Sequence, residues 1–213
     1  MIGLLRKAWW RVLLGQKNQW DSLAFSFLKS APSVLDLGCG SGRFLALDPE
    51  KIKGIDWNEA SIAQCKEQGY RVTCADLRKL PFDDRSFLGI HCSHVIEHFF
   101  PLDVYKILSE IDRVLAPQGM LVIRTPLMWS GFFSDLTHIR PYNPEAIMNY
   151  LIPSGQRTLK QISCSYKLVC LRWRYQPVKV KNVYLNEFFY GLNKWGFPWI
   201  KKNGYMLVLK KEK

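Results

Sequence analysis

Three carboxylates follow short apolar runs at Asp36, at Asp56 twenty residues later, and at Asp76. The first leads straight into VLDLGCGSGRF, where Gly38, Gly40 and Gly42 leave the backbone without side chains. Glycine tolerates positive φ and puts no Cβ between backbone and ligand, so such a bend admits a bulky group at close range. A pyrophosphate-binding fingerprint would need glycine at position 43, where Arg43 stands. A carboxylate ahead of the bend would repel phosphate and attract an ammonium, so the pattern suits a cofactor with no pyrophosphate. Asp56 can accept both hydroxyls of a ribose, and Asp76 can accept from an exocyclic adenine amine. Each carboxylate alone could be a helix cap or a turn residue. Three at consecutive strand ends point to a nucleoside.

Two histidines stand where a second reactant would meet that ligand. His98 lies in IEHF after the fourth predicted strand, and His138 in SDLTHIRPYNPEA after the fifth. Either can serve as a general base if the acceptor must lose a proton, and either can be a hydrogen-bonded structural residue. Asp135, His138 and Arg140, with Tyr142 beside them, form a hydrogen-bonding set suited to a polyhydroxylated or anionic acceptor. The alternative is a salt-bridged lid. Asn143, Pro144 and Glu145 predict a helix start there. The six cysteines, at 39, 65, 74, 92, 164 and 170, show neither a CxxC pair nor a metal-ligand spacing, so no metal site and no disulfide framework is expected.

These residues must be positioned by alternating strands and helices. Strands are predicted at Val34–Leu37, Ile52–Ile55, Arg71–Cys74, Phe87–Cys92 and Met120–Ile123. Helices are predicted from Gly42 for about two turns before Pro49, over Glu59–Glu67, and from Pro101, where Val104, Ile107, Leu108, Ile111, Val114 and Leu115 follow helical spacing until Pro117-Gln-Gly119. Strand-like Gln161–Trp173 and Tyr205–Leu209 follow a helix near Pro144–Leu151. Short connections between alternating elements mean right-handed crossovers and a doubly wound sheet whose ligand sits beyond the carboxyl ends of the strands.

The runs VLDLGCGSGRF, GIDWNEASI, ADLRKLPFDDRSF, HVIEHF and EIDRVLAPQGMLVIRTP resemble, in order over residues 34–126, a class I S-adenosylmethionine-dependent methyltransferase with a methyltransferase type 11 domain. The resemblance implies an α/β, Rossmann-like, mostly parallel seven-stranded sheet with helices on both faces and the last strand antiparallel. It also implies that Asp36, Gly38, Cys39 and Gly40 surround the methionine part of S-adenosyl-L-methionine. Asp56 and Trp57 would take the ribose and adenine, Asp76 and Leu77 the adenine edge, and Ser93 and His94 the methionine side. SDLTHIRPYNPEA resembles a segment found in bacterial members, some associated with sugar or cell-envelope polysaccharide methylation.

At 213 residues the chain is expected to be one domain: a helical segment over 1–33, the cofactor-binding core over 34–126, and an acceptor-site lid with C-terminal strands over 127–213. The net charge is +12, of which residues 157–213 carry +11 and residues 1–20 carry +4, leaving the middle mildly acidic. The basic ends GLLRKAWWRVLLG and YLNEFFYGLNKWGFPWIKK mix aromatic, leucine and basic residues. They are read either as docking elements for an anionic membrane surface or as segments packed across the domain. No run reaches the roughly 18 apolar residues of a membrane span. A cytoplasmic enzyme, peripheral at the inner face of the membrane if the ends dock there, is therefore expected. The favoured acceptor is a small molecule or saccharide methylated on oxygen. RNA methylation, supported by the basic C-terminal third, and a noncatalytic cofactor-binding scaffold are the alternatives.

Overall fold

The computed structural model describes residues 19–153, 159–175, 184–185, 188 and 202–213. Seven strands form one sheet: β1 Val34–Leu37, β2 Ile52–Asp56, β3 Val72–Cys74, β4 Phe87–Ser93, β5 Leu115–Pro126, β6 Tyr166–Tyr175 and β7 Lys202–Lys211. Their order across the sheet is β3-β2-β1-β4-β5-β7-β6. β1 runs parallel to both β2 and β4, and β7 runs antiparallel to both β5 and β6. The result is the expected Rossmann-like sheet with the last strand reversed. From β1 the chain winds outward to β3 and then returns to β4 on β1's other side. The crevice at that reversal is where such a sheet accepts a ligand.

Helix α1 (residues 19–28) and α2 (Glu59–Glu67) cover one face, and α3 (Pro101–Val114) and α4 (Pro144–Leu151) the other. The division follows from the two-residue period of a strand. Val34 faces the core beneath α1 with Leu28, Phe44 and Val208, whereas Leu35 and Leu37 face α3 with Ile107 and Ile111. Each buried aliphatic of α3 contributes at most about 1.5–3 kcal/mol. Asn58 caps α2 by accepting from the Ser61 amide at 3.1 Å. Asn143 occupies the N-cap position of α4 but makes no side-chain capping bond.

The first helix differs from expectation. Instead of about two turns after Gly42, the chain makes one 3-10 turn over Leu45–Leu47, and the Asp48 amide closes onto the Leu45 carbonyl. β5 also starts earlier than predicted, at Leu115. Phe87 pairs with Leu115 and Gly89 with Met120, so Ala116–Gly119 bulge out of register around Pro117. β6 begins at Tyr166 rather than Gln161. GLLRKAWWRVLLG, and YLNEFFYGLNKWGFPWIKK apart from residues 184, 185, 188 and 202, lie outside the described residues. Among the described residues no helix is long and apolar enough to cross a membrane.

Candidate functional site

The bend after β1 is held by its own backbone and by β2. Gly38, Gly40 and Gly42 have φ of 70°, 50° and 80°, the left-handed region in which side chains other than glycine's are disfavoured. A Cβ on Gly38 would stand 2.4 Å from Val95, and one on Gly42 would stand 2.8 Å from the Tyr70 ring, whereas one on Gly40 would meet nothing within 4 Å. Gly38 and Gly42 are thus required by packing as well as conformation. Gly40 faces open space at the head of the crevice, where a ligand can approach the bare backbone.

Asp56 ends β2 and is already at work before any ligand arrives. Its Oδ2 accepts the Gly40 amide and its Oδ1 the Asn58 amide, both at 2.9 Å. Each oxygen keeps a second lone pair, so the carboxylate can tie down the glycine bend and still accept from a diol. Next to it Trp57 is 78% exposed, a large aromatic surface at the mouth of the crevice. Leu77 is buried in the core. Asp76, expected to be free for an amine, is clamped by Arg78, whose Nη2 lies 2.7 Å from its Oδ2; hydrogen bonding to Arg78 holds this exposed carboxyl below its ordinary range.

Asp36 and Cys39 are both buried. Asp36 is buried, with Oδ1 2.7 Å from His91 Nδ1, and burial pushes its carboxyl above the usual range despite the neighbouring imidazole. The His91 ring stacks on Phe44 at 3.7 Å. On the same face of the sheet Arg124 of β5 is bonded to Asp21 of α1, which also receives Arg43 Nε at 2.7 Å. The strand period turns Asp36 toward this buried polar layer under α1. Cys39 is buried as well, and burial pushes its thiol up.

Next to β1 in the sheet, the ends of β4 and β5 meet the loop of residues 127–143. Ser93, the last residue of β4, is half-buried, and His94 follows with φ 57° and an exposed side chain. Glu97, fully buried, joins three segments. Its Oε1 lies 3.1 Å from His94 Nδ1, its Oε2 accepts the Thr125 hydroxyl at 3.0 Å, and its carbonyl accepts the Ile139 amide at 2.8 Å. His98 Nδ1 sits 2.9 Å from the Thr137 hydroxyl and 3.2 Å from the Thr137 carbonyl. The Thr137 hydroxyl donates to Asp135 Oδ1 at 2.6 Å, and that bond holds the exposed Asp135 carboxyl low. His138 donates through Nδ1 to the Phe132 carbonyl at 2.7 Å, and its ring centre is 4.8 Å from that of His98. The fold therefore brings His98, Asp135 and His138 together.

Arg140 and Tyr142 lie side by side, the first exposed and the second buried. The Arg140 guanidinium lies 5.4 Å from the centre of the Tyr142 ring. Tyr142, read from sequence as an acceptor contact, is buried; its hydroxyl donates to the Phe99 carbonyl at 2.8 Å, and its own carbonyl accepts the Tyr205 hydroxyl at 2.8 Å. Burial pushes the Tyr142 phenol up to about 12. It braces the loop against β7. Sequence reasoning missed Glu97 and Thr137 as members of the site. The H-x-x-E-H spacing of His94, Glu97 and His98 was the available signal for the first, and D-x-T-H for the second.

Residues 35–123 match the family described as "Methyltransferase domain". The chain is 30% identical over 132 residues to a tRNA (carboxymethyluridine(34)-5-O)-methyltransferase of Arabidopsis thaliana, covering 59% of this chain and 31% of that one. It is 37% identical over 98 residues to a phthiotriol/phenolphthiotriol dimycocerosates methyltransferase of Mycobacterium tuberculosis, covering 40% and 34% respectively. The chain thus spans about a third of the length of these curated relatives. Among solved structures, a SAM-dependent methyltransferase from Archaeoglobus fulgidus superposes with a TM-score of 0.64 at 23% identity, covering 91% of this chain and 94% of that one.

Proposed function

We propose that this chain, a class I S-adenosylmethionine-dependent methyltransferase by its matching domain and its sheet, transfers the methyl group to an oxygen of a saccharide or envelope-related small molecule. The observation that carries the reading is the pairing of a glycine bend and ribose-type carboxylate on one side of the crevice with a cluster of imidazoles on the other. Gly40, Asp56 and Trp57 would hold the cofactor, which supplies an electrophilic methyl on a sulfonium. Methyl transfer is an in-line displacement, so the chain's task is to hold the acceptor oxygen along the carbon–sulfur axis. A hydroxyl must lose its proton as it attacks. The Nε2 atoms of His98 and His138 are suited to accept it, because their Nδ1 atoms are engaged by Thr137 and Phe132.

The exposed Asp135, joined through Thr137 to His98, would meet acceptor hydroxyls at the rim. A second reading, methylation of RNA, is supported by the tRNA-modifying relative and by the basic C-terminal third. Radiolabelled S-adenosylmethionine incubated with cell-envelope extract and, separately, with total RNA tests both. Label in the saccharide fraction supports the first reading, and label confined to RNA replaces it. Cofactor binding without label in either fraction points to the noncatalytic scaffold.

A further inference from the structure

The cluster across the crevice has the donor chemistry of a metal centre. Glu97, His98 and His138 each bring a ligand atom to within 4.8 Å of the others. The hydrogen bonds of the two imidazoles determine which nitrogen is free. A carbonyl oxygen can only accept, so the proton of His138 sits on Nδ1, facing the Phe132 carbonyl at 2.7 Å. His98 Nδ1 likewise faces the Thr137 carbonyl at 3.2 Å and its hydroxyl at 2.9 Å. That hydroxyl spends its own proton on Asp135 at 2.6 Å, so it too accepts from His98. Both Nε2 atoms are left with lone pairs. Both oxygens of the Glu97 carboxylate are oriented, Oε2 by the Thr125 hydroxyl at 3.0 Å and Oε1 by His94 Nδ1 at 3.1 Å, and each keeps a lone pair for an ion. Imidazoles that donate their far N–H to a carbonyl, beside a hydrogen-bonded carboxylate, are the usual supporting arrangement of a metal-binding triad.

We propose that Glu97, His98 and His138 bind one divalent transition-metal ion at the acceptor edge of the crevice. Two imidazoles and one carboxylate select the zinc, cobalt, manganese and iron(II) class over magnesium or calcium, which favour oxygen donors alone. With metal–ligand bonds of about 2.0–2.1 Å, a tetrahedral ion needs donors about 3.4 Å apart, so the three side chains draw together on binding. Three protein ligands leave positions open for the acceptor's oxygens. The site thereby deepens the reading given under Proposed function and rests on it for the identity of the neighbouring reactant. With the ion bound, His98 and His138 are ligands that orient the acceptor; the ion acidifies the hydroxyl it holds, and the proton passes to solvent, in place of the two Nε2 atoms that accept it in the metal-free chain.

The test is a titration of tag-free, chelator-treated full-length chain with Co2+, followed by its visible d–d absorption. The parent is expected to saturate at one equivalent. His98→Asn and His138→Asn each keep an amide N–H near the position of Nδ1 but remove Nε2, and each is expected to bind at least tenfold more weakly with an unchanged circular dichroism spectrum. Absence of a saturable spectrum in the parent, or unchanged affinity in a folded variant, overturns the proposal. Calorimetry with S-adenosylmethionine on the same metal-free sample separates the two readings. Cofactor binding without a cobalt spectrum removes the metal site alone, whereas a cobalt spectrum without cofactor binding removes the methyl-transfer reading and leaves the metal site standing.

Discussion

The two walls of the crevice are built by different means. On the β1–β2 wall the parts are a backbone bend and one side chain bonded to backbone: a glycine turn with positive φ, and a carboxylate that receives amide protons from residues 16 and two positions away. On the β4–β5 wall the parts are side chains gathered from distant places, with His98 reaching Thr137 across 39 positions and Glu97 reaching Thr125 across 28. A backbone cradle recognises what is constant, a nucleoside cofactor. A side-chain cluster can be exchanged piece by piece, and it is the wall that the proposed function assigns to the acceptor. The names of two curated relatives specify tRNA in one case and phthiotriol/phenolphthiotriol dimycocerosates in the other, while the matched domain covers residues 35–123 of this chain.

The strongest way to break the comparison is Gly40→Val. A β-branched residue at φ 50° is strained, and it projects into the open space that the proposed function gives to the cofactor. Calorimetry should show S-adenosylmethionine binding weakened more than a hundredfold, with thermal melting still cooperative; unchanged affinity would move the cofactor elsewhere. Glu97→Ala strikes the other wall. It leaves the Thr125 hydroxyl and His94 without their buried partner, and urea denaturation should report a loss of about 3 kcal/mol, with cofactor affinity nearly unchanged. If cofactor binding collapsed in step with stability, the walls would not be independent.

Asp56→Ala sharpens the first wall. It removes both the amide tether and the ribose acceptor, and should weaken cofactor binding by about 1.5–3 kcal/mol in the same calorimetric assay. The smallest effect is expected from Tyr142→Phe. Only the hydroxyl's bond to Phe99 is lost, so stability should fall by about 1 kcal/mol with kcat within twofold of the parent. A large rise in KM would instead return Tyr142 to the acceptor site.

What the residues alone determined is what depends on short range. Strand and helix alternation, the helix start at Pro101, the glycine bend and the carboxylate at Asp56 follow from period, turn chemistry and conformational freedom over a few positions, and they suffice to place the parts of the β1–β2 wall. Only the tertiary structure decided which face each strand residue takes and what it meets there. Asp36 looks like a ligand contact in sequence, yet its register on β1 directs it against His91 under α1. Asp76 looks free until Arg78 folds back on it. Tyr142 reads as part of a polar motif, but β7, arriving from the far end of the chain, places Tyr205 against its carbonyl and buries it. The partnership of Glu97 with His98 and His138 likewise exists only because β5 carries Thr125 beside β4 and the loop after β5 folds back over β4's end. Long-range pairing depends on sheet order, and a linear pattern of residue types carries no record of that order.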